Sequence, residues 1–490
     1  MLELCDSYRE NVQRVDRVLR VEENFDIIKK VMYIGTDEVT FYYIDGFVDN
    51  GSMNKLMIYL LSLENTAPRS LKMGIESTTY FVEHFMPQVE AEVTQKASTM
   101  LQMLLSGTAL LLGERFGDSA VIIDARTYPA RSVEEPENDR VMLGARDGFV
   151  ETMVFNTALI RRRIRDTNLT MRHMTVGGQT KTDVVLCYLA GTADAEYVSY
   201  LEKKLRSIQT KSLSLGHQSL AEMLVQQKWY NPFPKIRYTE RPDVAAAQIL
   251  EGSVIIVCDN SPEVMVLPSS IFDFLQETND FYFPPLTGTY IRIVRQLVFW
   301  STLLWIPIWF LLTKNPEWTP AWLQFVLPQE HGRISIFAQL LLVELVIDGL
   351  RMASMNTPSM LSNSLSIVGG LILGDFAVDI GWLIPEVILY MAFVSIASYS
   401  QRSYELGYAF KFMRLIYLFL IQFFNVAGFF AASGIILLFL LTNKTVNGKH
   451  SYLYPLIPFD ARALLSIFFR LKKKADTDTQ TAEGRSNSAQ

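Results

Sequence analysis

Five ionisable residues break into otherwise apolar stretches of the C-terminal half. Glu344, Asp348 and Arg351 follow one another at i, i+4 and i+7 in ELVIDGLR, so a helix carries them on one face. Asp375 and Asp379 fall in SLSIVGGLILGDFAVDIGW, residues 364–382. On a helix wheel of about 100° per residue with Gly370 at zero, Gly374 lies at about 40° and Gly381 at about 20°. Ser364, Asp375, Val368 and Asp379 lie at about 120°, 140°, 160° and 180°. The glycines Gly370, Gly374 and Gly381 then form a packing face, and the Gly370-x-x-x-Gly374 step lets helices approach closely. The far face carries Ser364, Val368, Asp375 and Asp379, with Leu371 and Ile372 beside it. A carboxylate turned to lipid costs on the order of 2.5–3.5 kcal/mol, so these acids should face water or a base. The chemistry on offer is cation passage through a lumen, with Val368 as a constriction that closes by dewetting. The competing reading pairs Asp375 with Arg351 or another buried base. For Glu344, Asp348 and Arg351 a self-compensated cluster, serving as structural glue or a gating coupler, is favoured over a conduction site.

The elements that must position these residues are membrane-type helices. The chain has 490 residues, 49% hydrophobic and 20% charged, with a mean hydropathy of +0.17. A soluble protein of this length is normally more charged and less hydropathic. Uncharged stretches run over 296–313, 334–350, 364–382, 386–401 and 415–443, with Glu344, Asp348, Asp375, Asp379 and Glu386 as the interruptions. About twenty apolar residues cross a bilayer, so five to six spans are expected over 293–443. The stretch 415–443 is too long for one straight span and too short for two full ones. It reads as a tilted helix or a tight re-entrant hairpin, with Asn425, Gly428 and Gly434 as places to bend. Loop charge puts Arg351 and the Arg402–Arg414 stretch inside and the loop 314–333 outside. The segment 444–490 carries Arg470, Lys472, Lys473 and Lys474 and ends in a polar, disordered tail. The basic residues favour the inside, which five spans would not allow and six would.

The first half has the composition of a soluble α/β protein and lacks the apolar core of a signal peptide. It divides into two subdomains, 1–165 and 166–292, both expected on the cytoplasmic side. Strands are expected at 119–126 and 182–191, an amphipathic helix at 194–208, and a hairpin of 253–259 with 263–269. No repeat of fixed period is visible. Gly177-Gly178-Gln179-Thr180-Lys181-Thr182 lacks the spacing of a phosphate loop and reads as a turn. There is no His-Glu-x-x-His, and five scattered histidines and three unpaired cysteines make neither a metal site nor a disulfide framework. A net charge of −6 argues against nucleic acid. No catalytic constellation, metal or cofactor is expected. One soluble stretch stands apart: Glu134, Glu135, Glu137 and Asp139 precede Arg161, Arg162, Arg163 and Arg165. It reads either as a solvated charge pair or as a subunit or membrane-proximal contact.

That stretch, EEPENDRVMLGARDGFVETMVFNTALIRRRIRD, resembles the signature of the A-type subunits of the GerA family of bacterial spores. Glu344-x-x-x-Asp348-x-x-Arg351 and the glycine-rich Ser366–Gly374 are similar to two further family elements, and the likeness runs over about residues 50–460. The chain departs from the family pattern at Met352, Asn356 and Asp375-Phe376, which resembles one branch associated with dipicolinate release rather than nutrient sensing. The resemblance implies a multi-pass protein of the spore inner membrane with its N-terminal domain on the core side. It implies a role in germination as a homo-oligomeric cation channel, a ring for which a pentamer is one candidate size. Membrane lipid and other spore inner-membrane germination proteins are the implied partners. A non-conducting receptor or scaffold subunit and an ion-coupled transporter remain the alternatives.

Overall fold

A computed structural model describes residues 3–87, 90–126, 144–225, 229–277, 279–329, 332–356, 377–401, 403–446 and 451–469. They form two units. The first holds 1–228, 235–269 and 444–450, and the second 229–234, 270–443 and 451–490.

The first unit is built twice on one plan. Helix α1 (Tyr8–Leu19) leads into strands β1 (Ile27–Ile34) and β2 (Asp37–Ile44), helices α2 (Asn50–Leu61) and α3 (Ile75–Phe85), β3 (Ala91–Thr94), α4 (Ala97–Leu105), β4 (Ala109–Gly113) and β5 (Ala120–Ile123). The same order of types returns as α5 (Met153–Arg163), β6 (Leu169–Val176), β7 (Thr182–Leu189), α6 (Ala195–Ser207), α7 (His217–Leu224), β8 (Arg237–Thr239), α8 (Pro242–Leu250), β9 (Val254–Cys258) and β10 (Val264–Leu267). Both sheets are antiparallel, ordered β1-β2-β4-β5-β3 and β6-β7-β9-β10-β8, so strand for strand they are equivalent. The helix-to-strand turns match in detail. Gly107 (φ +102°) ends α4 and Gly252 (φ +96°) ends α8. Behind each glycine the next amide reaches back to close the helix, Thr108 to Met103 O at 3.2 Å and Ser253 to Gln248 O at 2.9 Å. The sequence reading found no repeat because this one has a period near 145 residues (252 minus 107) and survives mainly in these caps.

The expected strands, the α6 helix and the β9–β10 hairpin are present. The expected division after residue 165 is not where the lobes part. Met153, Leu159, Ile160 and Ile164 of α5 and the residue after it pack with Val185, Val257 and Val266 of the second sheet. Half of the basic run departs from a solvated face, while Arg162 and Arg165 are exposed. Arg161, about 0% exposed, grips Asp26 with Nε at 2.9 Å and Nη2 at 3.1 Å and donates Nη1 to Leu169 O at 3.0 Å. It ties the second lobe to the first. Arg163 pairs with Asp147 at 2.5 Å, while the acidic residues 134–139 lie outside the described residues.

The second unit is helical: α9 (Asn279–Tyr282), α10 (Pro285–Lys314), α11 (Ile336–Asn356), α12 (Pro385–Tyr399), α13 (Tyr404–Thr442) and α14 (Ala461–Phe468), with one turn at Ala377–Asp379. Its long segment begins at 270, ahead of the expected 293, and Ile271, Phe272, Phe274 and Leu275 sit in its core. Two described helices, α10 and α13, are long and apolar enough to cross a membrane. Helix α13 is two arms. Asn425 has φ 48° and ψ −124°, outside the helical region. Tyr417 and Ser433, 16 residues apart, share a hydrogen bond of 2.9 Å, where a straight helix would separate them by about 24 Å. A Cβ on Gly428 would lie 2.0 Å from Leu420 O, so the arms fold back at close quarters and glycine is required there. The 415–443 stretch is therefore a hairpin, and its first arm begins at Tyr404.

Candidate functional site

The sites that the sequence singles out all fall in the helical unit, and its packing sets their geometry. Phe310 of α10 stacks near Phe337 of α11, Trp305 and Trp309 meet Tyr390 of α12, and Phe299 meets Phe410 of α13. At one end Gln339 binds both the backbone before α11 and that before α12, donating to Ile334 O at 2.8 Å and accepting from Ile384 N at 2.9 Å. At the other, Arg351 donates to Ser398 Oγ at 3.4 Å. So α11 and α12 run parallel.

Between α11 and α13 lies a ladder of four charges. Arg414 pairs with Glu344, and Lys411 pairs with Asp348, with Lys411 also 3.9 Å from Glu344. Two acids at i and i+4 on α11 meet two bases at i and i+3 on the first arm of α13. Arg414 and Glu344 are buried, at 6% and 7% exposure. Arg414 also donates to Thr302 O at 2.6 Å, which brings α10 into the same cluster, and Gln401 Nε2 donates to Thr302 Oγ1 at 2.9 Å. The charges sum to zero. This arrangement locks helices together and carries no net charge. Among the described residues Arg414 Nε and Gln401 Oε1 have no hydrogen-bond partner, and Gln401 lines a cavity of about 30 Å³ with Ser400, Ser403 and Glu277, room for an ordered water.

The expected cluster of Glu344, Asp348 and Arg351 is thus not self-compensated. The acids pair across to α13, and Arg351 lies instead over the rings of Tyr399 and Tyr408, at 4.7 and 5.3 Å. A planar guanidinium stacks well on aromatic faces, while an acid buried between helices gains more from a base brought to it by the neighbouring helix than from one three residues along its own surface. Lys411 and Arg414, read from sequence as loop charge on the inner side, belong to that helix. Their role was open to the sequence in principle, since two bases within an apolar helix demand two acids elsewhere.

A second buried cluster, missed in the sequence, fixes the start of α10. Asp280, 1% exposed, accepts from Arg295 at 2.7 and 2.8 Å and from Arg292 at 3.2 Å, and Glu277 pairs with Arg295 at 2.6 Å. The far end of α10 closes the α13 hairpin. Lys314 donates to Ile421 O and Gln422 O at 3.2 and 2.6 Å, and the amides of Asn315 and Asn425 exchange hydrogen bonds of 2.8 and 2.9 Å. The cation satisfies carbonyls that the first arm leaves open at its end, and the amide pair ties the bend to the end of α10.

Of the residues placed on the lumen face, Ser364, Val368, Leu371, Ile372 and Asp375 lie outside the described residues, as do Gly370 and Gly374. Asp379 closes the turn Ala377–Asp379 and is exposed. Gly381 does not continue that helix. It has φ +76°, its carbonyl accepts from Arg333 N at 2.9 Å, and it belongs to the bend before α12 rather than to a packing face.

The sequence carries a family-wide signature as well. The model of the Bacillus/Clostridium GerA spore germination protein matches residues 17–481. The chain belongs to the GerA family. It is 36% identical to stage V sporulation protein AF of Bacillus subtilis, over 92% of this chain and 90% of that one, the branch to which Met352, Asn356 and Asp375 point. Spore germination protein KA of B. subtilis is 28% identical, over 93% of this chain and 83% of that one. The crystal structure of the N-terminal domain of the A subunit of the Bacillus megaterium spore germinant receptor GerK3 is similar at 24% identity and a TM-score of 0.39, covering 54% of this chain and 96% of that one.

Proposed function

We propose that this GerA-family protein acts in spore germination as a multi-pass protein of the spore inner membrane, and that copies of it form a ring conducting cations through a lumen lined by 364–379. The observation that carries this reading is that α11 and α12 run parallel, so the chain between them must return from one end to the other. Residue 356 lies beyond Arg351, at the Ser398 end of α12. Residue 377 lies beside Trp382 and Leu383, whose amides donate to Ala377 O at 3.0 and 3.1 Å, at the opposite end. Twenty residues, 357–376, join the two ends, and as a helix they would reach about 30 Å, one hydrocarbon thickness. With α10, α11, α12 and the two arms of α13 this makes six crossings, so the chain leaves the membrane on the side where it enters. The ladder is consistent with this reading, since Glu344 and Asp348 pair with Arg414 and Lys411 within the protomer and are not among the acids we assign to the lumen. A scaffold or receptor subunit is the second reading, favoured by the closed, charge-balanced ladder.

The test is a cysteine scan of 364–379 in the reconstituted assembly. Cys187 and Cys258 are buried, and burial pushes both thiols up, Cys258 to about 11, so replacing Cys5 alone gives a quiet background. Water-borne reagent should reach 364, 368, 375 and 379 and miss 370 and 374. Uniform protection along the segment sinks the channel reading. Label reaching residues of the first unit from outside intact cells, rather than the 314–333 loop, sinks the orientation.

A further inference from the structure

The connection that follows α10 turns back along the helices instead of rising away from them. After Lys314 it makes two turns of 3-10 helix, Pro316–Trp318 and Ala321–Val326. Val326 O accepts from Trp309 Nε1 at 2.8 Å and from the Tyr390 hydroxyl at 3.4 Å. Trp309 stands five residues (314 minus 309) before the end of α10, about 7.5 Å along its axis. Its side chain leans further in, toward the start of the helix. Tyr390 stands five residues (390 minus 385) inside the start of α12. The second turn therefore lies level with the last turns of the helices and not beyond their ends. A 3-10 helix repeats every three residues, so its side chains fall into three rows. Leu323 and Val326 form the row turned to the protein, where Leu323 is half-buried and Val326 packs against the core. Ala321 and Gln324 form an exposed row that carries a side-chain amide. Trp322 and Phe325 form the third, and they are 75% and 70% exposed. No charged residue occurs from Trp318 to Gln329. The amides of Leu323 and Leu327 donate within the segment, to Pro320 O at 2.8 Å and Gln324 O at 3.1 Å, which suits backbone near hydrocarbon. At the same depth α10 leaves Ile308 exposed, and one turn further in Trp305. A protein face, an aromatic face and a polar face on one short turn match the layers of a membrane boundary, where tryptophan gathers.

We propose that the turn Ala321–Val326 lies in the leaflet at which α10 ends, with Trp322 and Phe325 set among the acyl chains of its phospholipids. This rests on the reading of the helical unit as membrane-spanning. The segment carries no charge, so the contact is indifferent to headgroup charge and to salt. The experiment uses the full chain with Cys5→Ser, reconstituted in phosphatidylcholine vesicles. One further substitution, Ile308→Cys, Glu317→Cys, Trp322→Cys or Phe325→Cys, carries a nitroxide, while Cys187 and Cys258 are buried and stay unlabelled. Collisions of the label with oxygen, which concentrates among acyl chains, are compared with collisions with a water-soluble nickel chelate. The oxygen-to-chelate ratio at 322 and 325 should exceed that at 317 severalfold and approach that at 308. It should hold when phosphatidylglycerol is added and when salt is raised. Ratios at 322 and 325 that match 317, with 308 still rich in oxygen collisions, overturn the proposal. A ratio that follows lipid charge overturns it too. Few collisions with either reagent would mark a surface covered by protein, assign the turn to a contact with a second copy, and overturn it as well. If the label at 308 meets the chelate as freely as that at 317, it is the membrane reading that fails.

Discussion

Both units bury an arginine against a carboxylate, and the two pairs hold different things together. In the first unit Arg161 meets Asp26 with a two-pronged contact and spends its third nitrogen on Leu169 O. It bolts together two lobes whose sheets are each complete without it. In the helical unit Arg414 meets Glu344, Lys411 meets Asp348, and Arg414 reaches a third helix at Thr302. Apolar helices find little in lipid to tell one partner from another, so charge and hydrogen bonding must specify the pairing. A single pair across the lobes, Arg161 with Asp26, is enough where strand order already fixes the architecture of each. A ladder is needed where it does not.

The largest expected effect comes from stranding one charge of that ladder. Arg414→Leu leaves Glu344 buried with only the more distant Lys411, at 3.9 Å, and should cost about 3–5 kcal/mol, read as a loss of folded, monodisperse protein in detergent. Arg414→Leu with Glu344→Leu should recover most of it, because an apolar pair of similar volume replaces an ion pair at little cost. Equal damage from single and double variants would show that the two side chains do not act as a pair. Arg161→Met should cost toward the lower end of the same range, about 3 kcal/mol. It should loosen the join between lobes, and amides of β6 near Met171, which donates to Asn24 Oδ1 at 2.6 Å, should exchange faster than those of β9. A smaller effect distinguishes the repeated caps. Gly252→Ala incurs the left-handed backbone cost of about 1–2 kcal/mol and a tight approach to Thr192 O at 3.1 Å. Gly107→Ala pays that and a clash, since its Cβ would lie 2.9 Å from the Phe47 ring. Thermal unfolding of the full chain should rank Gly107→Ala below Gly252→Ala, and the reverse order would break the equivalence argued for the two turns. The boundary between the units gives the smallest test. A chain cut after 269 should remain more soluble than one cut after 290, which carries Ile271, Phe272 and Phe274 stripped of their core.

How much of this was legible depended on whether the signal was local. Strand runs such as TDVVLCYL and the cap-and-stripe pattern of α6 declare themselves within ten residues, and the structure has both. The bend in 415–443 was marked by Asn425 and Gly428, one able to take a left-handed φ and the other able to let backbones touch. The duplication was invisible because LLSGTALLLG and ILEGSVIIVC share only a leucine, the capping glycine and the buried strand that follows it. The partners of Glu344 and Asp348 were hidden for a different reason. Helical spacing tells which residues share a face, and says nothing about which helix that face meets. The same limit misplaced Gly381, whose position on a helix wheel presumed a helix that ends at Asp379.

The claim that copies of this chain conduct cations through 364–379 is tested most directly by ion flux into liposomes holding the purified assembly, with oligomer size measured on the same sample. Val368→Ala should widen the constriction and make the assembly leak, and Asp375→Asn should lower cation flux while leaving the oligomer intact. Gly374→Leu should push neighbouring helices apart and abolish the oligomer itself. If Val368→Ala and Asp375→Asn both leave flux unchanged in a correctly sized oligomer, that segment does not line a pore and the account is wrong.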